Sequence, residues 1–454
     1  MSNIVRMGLR ALRKIAASPH LEASGLRGPT QRLVYEGTRL GFQSISTASR
    51  SFKAVRQLAG AKRPARQAAT DLFDLRPSEE QAMMIDAMRI FADEQLRPQA
   101  QQADAEGSLT PELMKAFGEL GVATLSVPDE LGGSGDMHDA LTQALLAEQL
   151  AHGDLGMAWA CLASTAVCQA LLRWGSAEQQ ATYLGDFAGE QPPPAALAVM
   201  EPTPLFDPMS LSTRARQSPD GGYVLSGEKC MVAGVAKAEL FVVAAELEGV
   251  GPQLFVIEAN TPGLSCASEP TMGLRSAAPG RLRLDKVSLP AGARLGVDQP
   301  GAYRECIQLG RLAWCALSVG CAQAVLDYLV PYVNERQAFG EPIGHRQSVA
   351  FAVSNIAIEL QGMRLLTWRA AELANSLAQE LADQPADEPS ASRAQQAFAE
   401  AVTLARRLCA DKGMQIGSDG VQLLGGHGFV KEHPVERWYR DLRAVALMEG
   451  GLLL

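Results

Sequence analysis

The stretch VQLLGGHGFVKEHPVERWYRDLRAVALMEGG, residues 421–451, is one of the two most specific patterns in the chain. It opens near paired glycines, Gly425 and Gly426, and closes on the carboxylate Glu449, which follows an apolar run and precedes two more glycines. Apolar neighbours can exclude water from a carboxylate, and glycines let backbone approach a ligand closely. These neighbours make Glu449 a candidate base, although on sequence alone it could equally be an exposed charge on a loose terminus.

The second specific pattern is YVNERQAFGEPIGHRQ, residues 332–347. It ends about 75 residues before the stretch over 421–451 begins. Within it, Arg336 offers a guanidinium fork that suits two phosphate oxygens. The alternative is a salt bridge from Arg336 to Glu335 or Glu341. Both interpretations stay open at the level of the sequence.

Around these two stretches, the pattern of apolar residues changes along the chain. Ser78 and Thr110 are candidate helix caps, because each precedes apolar residues that recur at helical spacing. The middle of the chain instead has short apolar runs separated by Gly, Pro and Asp, which are typical of strands. The predicted segments are a basic extension and linker over 1–74, a helical domain over 75–194, a β domain over 195–300 and a helical bundle over 301–454. The predicted fold is mainly α with a central antiparallel β sandwich or barrel and a C-terminal four-helix bundle.

The composition excludes several classes of protein. A chain of 454 residues is too long for a single hydrophobic core of ordinary size, so several domains are expected. A content of 47% apolar and 20% charged residues indicates a globular protein. None of the eight cysteines forms a CxxC pair, and most lie in apolar surroundings, which predicts buried, reduced thiols and argues against a metal site. Polar residues interrupt every apolar stretch before it reaches about eighteen residues, so no transmembrane helix is expected. Rossmann, P-loop, GxSxG and HExxH patterns are absent.

The net charge of −9 conceals a basic N-terminal extension. Residues 1–70 carry thirteen Lys and Arg and two acids, whereas the remainder carries 28 basic and 48 acidic residues. From Val34 to Ala59, apolar residues recur at helical spacing beside basic ones, which predicts a basic amphipathic helix. It could pack on protein, attach to a membrane surface or lipid, or belong to a transit peptide. The chain would accordingly be cytoplasmic, peripheral to a membrane or in the mitochondrial matrix. The acidic remainder of the chain argues against binding to nucleic acid.

In order along the chain, these stretches resemble the acyl-CoA dehydrogenase family over about residues 76–450. VPDELGGSG resembles the loop of the family's first domain, and AVMEP and GEKCMVAG resemble its flavin-facing strands. YVNERQAFGEPIGHRQ is similar to the signature YxxxRxxFGxxxxxxQ. The stretch over 421–451 is similar to the closing signature, which ends at the glutamate that acts as base.

The resemblance implies FAD-dependent α,β-dehydrogenation of an acyl-CoA thioester in fatty acid β-oxidation. Glu449 would take the α-proton in a dry site, and flavin N5 would accept the β-hydride. Some family members carry the base just before an arginine of an earlier helix; here Gly310 precedes Arg311, so no second base competes. The resemblance further implies electron-transfer flavoprotein as electron acceptor and a homodimer or homotetramer.

The resemblance also assigns roles to single residues. The residues that it implies for cofactor binding are Arg336, Phe339, Gln347, Gln422, Gly425, Gly426, Met200, Ala233 and Gly451. The residues that it implies for substrate binding are Arg311, Met448 and Gly450. Two alternatives remain: Arg311 could be a buried helix arginine paired with an acid, and the paired glycines could be a plain helix-stop turn.

The β domain departs from the family pattern at its flavin-facing positions. Met200 stands where Thr or Ser is usual, residues 203–206 read TPLF instead of small residues, and Met231-Val232-Ala233 replaces a Trp-Ile-Thr run. Alternatives to dehydrogenation are therefore an impaired family member that serves as a binding or assembly module, and an acyl-CoA oxidase or flavin monooxygenase on the same fold.

Overall fold

The structure is a computed structural model, and it describes residues 77–134, 139–189, 191–383 and 389–453. The predicted basic extension over 1–74 lies outside the described residues. Three regions follow along the described chain: helices, a sheet, and long helices again. This order agrees with the predicted fold.

The first region is helical, and its helices begin where the predicted caps stand. Ser78 and Gln81 form a capping box, and the Thr110 hydroxyl accepts from Leu113 N one residue before Pro111. The helices are α1 (Glu79–Phe91), α2 (Arg97–Glu106), α3 (Pro111–Gly118), α4 (Val122–Ser126), α5 (Ala140–Gly153), α6 (Leu155–Trp174) and α7 (Ala177–Phe187), with a π-helical turn (Ala92–Leu96) joining α1 to α2. Helix α6 is buried over most of its length, because its sequence is apolar on almost every face.

The second region is a seven-stranded sheet of mixed direction. Its strands are β1 (Ala195–Ala198), β2 (Arg214–Gln217), β3 (Tyr223–Val232), β4 (Leu240–Leu247), β5 (Gly251–Glu258), β6 (Leu264–Ser268) and β7 (Gly280–Leu289). The predicted central β domain is present, and the pairs β2–β3, β3–β7, β4–β5 and β6–β7 are antiparallel as expected. However, β1 and β2 both pair with β4 in parallel. Long connections rather than hairpins lead from each of them to β4, and such connections permit parallel pairing.

The third region is the C-terminal helical bundle. Its helices are α8 (Ala302–Glu335), α9 (Gln347–Asp383), α10 (Pro389–Leu424) and α11 (Val435–Ala444), with a small hairpin, β8 (Gln337–Ala338) and β9 (Glu341–Pro342), between α8 and α9. Helix α8 packs against α5, α6, α9, α10 and α11. One hydrophobic core therefore runs from the first helical region into the bundle, and residues 448, 452 and 453 belong to it.

Among the described residues, three helices are long and apolar enough, by length and composition, to cross a membrane, contrary to the expectation from the sequence. They are α6, α8 and part of α9. In α6 and α8, 89% and 72% of the apolar window is buried inside the protein, against 17% in α9. Packing in a large core explains the apolar character of the first two, whereas α9 leaves an apolar surface uncovered.

Candidate active site

Glu449 lies in a buried segment that follows α11. The residue is 8% exposed, and the preceding Met448 is buried in the core. Gly450 and Gly451 have φ of +73° and +80°, a region that favours glycine. A Cβ on Gly450 would lie 2.6 Å from Val199 Cγ2. Both glycines are thus required by the path of the backbone, which brings Glu449 beside the end of β1.

Two indole rings fix this segment between α6 and α8. Trp314 Nε1 donates to Gly450 O at 2.8 Å, and Trp159 Nε1 donates to Gly451 O at 3.2 Å. The two rings pack edge to face with their centroids 5.4 Å apart. Because a buried carbonyl without a partner is costly, these donors stabilise the one backbone path that carries Glu449.

The Glu449 carboxylate is ion-paired with two arginines. Arg311 of α8 donates from Nε to Oε2 at 2.7 Å and from Nη2 to Oε1 at 3.0 Å. Arg406 of α10 approaches Oε1 with Nη2 at 2.9 Å. The alternative in which Arg311 is a buried helix arginine paired with an acid therefore matches this structure, and the acid is the candidate base itself.

Sequence reasoning missed Arg406. Its side chain is 15% exposed, and Nη1 also donates to Met448 O at 2.8 Å. Burial lowers the pKa of the Arg406 guanidinium, and the Glu449 carboxylate opposes that shift. A signal existed in the sequence: Val402 and Cys409 mark the buried face of α10, and Arg406, four residues after Val402, lies on that face.

A buried ion pair fixes the loop after β1, next to the segment of Glu449. Glu201 accepts from Ser212 N and Thr213 N, and Lys229 Nζ lies 2.8 Å from its Oε1. Burial, the largest influence on Lys229, lowers the pKa of its ammonium to about 8. Both partners are almost fully buried, so the pair ties the end of β1 to β3.

Met200 and Ala233, predicted to face the flavin, lie at the adjoining ends of β1 and β3. Met200 O accepts from Cys230 N at 2.9 Å. Ala233 lines a cavity of about 840 Å³ between the sheet and the first helical region, which Cys161 and Ser164 of α6 also line. Leu205, within the TPLF departure, is fully exposed and does not fill this cavity.

The residues predicted for the adenine side of the cofactor gather at the far end of the bundle. Arg336 caps the C-terminal end of α8, and Gln347 opens α9. Tyr332 links this end of α8 to the glycine turn after α10, because its hydroxyl donates to Leu424 O at 3.2 Å and contacts His427 Nδ1 at 2.9 Å. Gln422 lies in the last turn of α10 and Gly426 in the turn that follows it. The structure therefore brings both specific sequence stretches together.

Two details bear on the alternatives for these residues. Gly425 has φ of +59°, the conformation of a glycine that ends a helix, so the helix-stop interpretation also matches the structure. Glu341 pairs with Arg346 at 3.7 Å, and in the described part of the chain no ion pair joins it to Arg336. Phe339 is 94% exposed, with the Arg346 guanidinium 5.0 Å from its ring centroid.

The two groups of predicted residues are far apart within one chain. Arg311 and Arg336 are separated by 25 residues of α8, which corresponds to roughly 37 Å along a helix. Glu449, Met448, Gly450 and Gly451 cluster at the Arg311 end. The adenine-side residues cluster at the Arg336 end.

Family models match three successive parts of this chain. They are the acyl-CoA dehydrogenase N-terminal domain over residues 78–191, the middle domain over 196–287 and the C-terminal domain over 301–451. The chain belongs to the acyl-CoA dehydrogenase family. It is 32% identical over 381 residues to cyclohex-1-ene-1-carbonyl-CoA dehydrogenase of Geobacter metallireducens, covering 82% of this chain and 95% of the relative.

Solved structures of acyl-CoA dehydrogenases share the fold. Butyryl-CoA dehydrogenase of Megasphaera elsdenii is 26% identical, with a TM-score of 0.72 over 83% of this chain and 96% of that chain. Acyl-CoA dehydrogenase of Bacillus anthracis, solved in complex with FAD, is 26% identical, with a TM-score of 0.71 over 82% of this chain and 64% of that chain. The family consists of oxidoreductases, with fatty acid β-oxidation and oligomerisation typical of it.

FAD is the cofactor of the acyl-CoA dehydrogenase family, and the residues of this chain fit it. Of the predicted cofactor residues, all of which the structure describes, Ala233 alone lines the cavity of about 840 Å³, so the fit depends on the other positions. A Cβ added at Gly234, Gly425 or Gly426 would meet no atom within 4 Å, so the backbone at these positions is open to a ligand. Arg336 carries a guanidinium fork, a group that suits two phosphate oxygens.

Proposed function

We propose that this acyl-CoA dehydrogenase removes the α-proton and β-hydride of an acyl-CoA thioester, with Glu449 as the base. The observation that carries the proposal is the buried Glu449 carboxylate, which two glycines and two indoles hold at the end of β1. Bound FAD would supply the hydride acceptor. Arg336, Phe339, Gln347, Gln422, Gly425 and Gly426 would hold its adenine and diphosphate, and Met200, Ala233 and Gly451 its ring side.

The hydrogen bonds of Glu449 leave a position open for a proton on each oxygen. An ionised carboxylate offers about four lone-pair positions on its two oxygens. Oε1 accepts from Arg311 Nη2 and Oε2 accepts from Arg311 Nε, while Arg406 Nη2 is ion-paired with Oε1 at 2.9 Å. Because the Arg406 charge lies beside Oε1, we assign Oε2 as the atom that takes the α-proton. Arg311, Met448 and Gly450 would position the substrate around it.

The first experiment is a visible spectrum of the purified protein, followed by anaerobic addition of acyl-CoA. We expect a flavin band near stoichiometry that bleaches with a matching acyl-CoA. Butyryl-CoA, cyclohex-1-ene-1-carbonyl-CoA and a long-chain acyl-CoA should be compared, because the names of the relatives favour short or cyclic acyl groups. A colourless protein that neither takes up FAD nor binds any of the three would refute the proposal.

The second experiment changes the base. Glu449→Gln keeps the shape of the side chain but removes its basicity, so bleaching should slow by at least 100-fold, within the contribution of general base catalysis. Glu432→Gln, on the exposed turn before α11, is the matched control and should bleach like the wild type. If Glu449→Gln bleaches at the wild-type rate, the base is another group.

A binding or assembly role without catalysis is the second candidate. It is favoured by the two guanidinium groups that are ion-paired with Glu449 and by Met200 and Met231 at flavin-facing positions. A protein that binds acyl-CoA but does not bleach would support this role. An oxidase or monooxygenase would instead bleach and then consume oxygen rapidly, whereas a dehydrogenase should pass electrons to electron-transfer flavoprotein.

The separation of the two groups of predicted residues supports a homo-oligomer. Roughly 37 Å along α8 exceeds the length of FAD, so the Arg336 end of one chain would complete the site of a partner. Phe351, Ile358 and Leu365 recur every seven residues on α9 and are 58%, 68% and 43% exposed. We expect a dimer or tetramer by light scattering, and Ile358→Glu should shift it toward monomer. A wild-type monomer that holds FAD would contradict this assignment.

The basic extension over 1–74 is proposed as a membrane-surface attachment, since thirteen basic residues favour anionic lipid. This would place the protein at a membrane face in the cytoplasm, unless the extension is a transit peptide for the mitochondrial matrix. Sedimentation of the full chain and of a chain lacking 1–74 with anionic and neutral vesicles tests the attachment. Equal sedimentation of the two proteins with anionic vesicles would contradict it.

A further inference from the structure

The Glu449 carboxylate receives a second guanidinium that charge balance does not require. Arg311 alone pairs with both oxygens and neutralises the single negative charge. Arg406 adds a further positive charge in a part of the core where its side chain is 15% exposed. Burying an extra charge is unfavourable, so its presence calls for a role beyond pairing.

Arg406 contacts two parts of the same segment. Its Nη1 donates to Met448 O at 2.8 Å, while its Nη2 lies 2.9 Å from Glu449 Oε1. Its Nη2 is also 3.4 Å from Ala446 O. A planar fork can hold a backbone carbonyl and a carboxylate at once, which a lysine ammonium cannot do with the same fixed geometry.

We infer that Arg406 is a positioning residue that orients the Glu449 carboxylate for proton abstraction by Oε2. Its charge lies beside Oε1, which leaves Oε2 as the oxygen better placed to take a proton. By holding Met448 O, it fixes the backbone from which the carboxylate projects. This inference rests on the proposed role of Glu449 as base.

The test compares the wild type with Arg406→Gln, Arg406→Lys and Arg407→Gln. Arg407 is the exposed neighbour on α10, so its change to Gln is a matched control. Flavin content and thermal unfolding establish that each variant is folded. Rapid anaerobic mixing with acyl-CoA then gives the limiting bleaching rate and the half-saturating concentration at each pH.

For Arg406→Gln we expect a 10- to 100-fold lower limiting rate, because a small misplacement of a reacting group has a cost of that order. The half-saturating concentration should change less than threefold, since Arg406 holds the base and not the substrate. Arg406→Lys should restore only part of the rate, because an ammonium lacks the planar fork.

Infrared difference spectra against Glu449→Gln provide a readout that does not need turnover. The carboxylate stretching bands of Glu449 should shift in Arg406→Gln and stay closer to the wild-type bands in Arg406→Lys, because Arg406 contacts this carboxylate. If Arg406→Gln is unfolded, Arg406→Lys still tests the role of the fork through its limiting rate.

Two outcomes separate the failure of this inference from failure of the proposed function. If Glu449→Gln slows bleaching but both Arg406 variants keep the wild-type rate and the wild-type carboxylate bands, the inference is wrong and the base assignment stands. If Glu449→Gln itself bleaches normally, the proposed function is wrong. Equal effects of Arg406→Gln and Arg407→Gln would also overturn the inference.

Discussion

Replacing Gly450 with alanine tests how the fold places Glu449. Gly450 has φ of +73°, and a Cβ there would lie 2.6 Å from Val199 Cγ2 and 2.7 Å from Val199 Cβ. The left-handed conformation costs an L-residue about 1–2 kcal/mol. Overpacking of a filled core adds about 1–3 kcal/mol. We therefore expect Gly450→Ala to lower the free energy of unfolding by about 2–5 kcal/mol.

Two matched glycines separate the backbone cost from the clash. Gly221 has φ of +87°, and a Cβ there would meet no atom within 4 Å, so Gly221→Ala should show the backbone cost alone. Gly451 has φ of +80°, and its nearest neighbour to a new Cβ is Trp159 Nε1 at 3.4 Å, so Gly451→Ala should fall between the two. The expected order of destabilisation is Gly450→Ala, then Gly451→Ala, then Gly221→Ala.

Urea unfolding provides the free energies, and hydrogen exchange detected by mass spectrometry localises the effect. Exchange should accelerate over residues 445–453 in Gly450→Ala and remain unchanged there in Gly221→Ala. If Gly450→Ala and Gly221→Ala lose equal stability, the close packing of Gly450 on Val199 does not exist in solution. The account of how Glu449 is placed would then be refuted.

Three further changes have defined outcomes. Trp314→Phe leaves Gly450 O without its donor, and urea unfolding should show a loss of about 1–3 kcal/mol plus a cavity cost; an unchanged midpoint would contradict the role of the indole. Lys229→Met leaves the Glu201 carboxylate buried without its cation. The free energy of unfolding, measured in urea, should fall by about 3–5 kcal/mol, and a fall below about 1 kcal/mol would rule out a fully buried pair. Burial raises the pKa of Asp441 to about 7, so the folded state binds its proton more tightly than the unfolded state, and stability from this group falls as pH rises from about 4 to 7. Asp441→Asn should remove a slope of up to about 1.4 kcal/mol per pH unit from that range; an identical pH dependence in wild type and variant would show that Asp441 does not titrate there.

Local signals in the sequence predicted the parts of the fold that depend on nearby residues. The capping box at Ser78 and the cap at Thr110 depend on residues three positions away, and both are present. The glycines after Glu449 predict a close approach of backbone to a ligand, which stays a prediction; in the structure Gly450 lies against Val199. Such features are predictable because their geometry depends on a few consecutive residues.

Contacts between distant segments could not be predicted in the same way. Trp159 donates to Gly451 O across 292 residues, and Arg406 reaches Met448 O across 42 residues and two helices. The parallel pairing of β1 with β4 likewise depends on where a long connection returns. No periodicity within one segment contains this information, because it arises only when helices and strands pack.

Helix α8 connects the two halves of the proposed site. It carries Arg311 and Trp314, which hold the Glu449 segment, and ends at Arg336, the candidate diphosphate ligand. Since these groups are roughly 37 Å apart, one α8 would serve the base of its own chain and the cofactor of a partner. A change in the length of α8 between Trp314 and Arg336 would move the two sites relative to each other without altering a residue that contacts Glu449. Helix α8 therefore sets the distance between the base and the candidate diphosphate ligand, and the contacts of Glu449 lie at one end of this helix only.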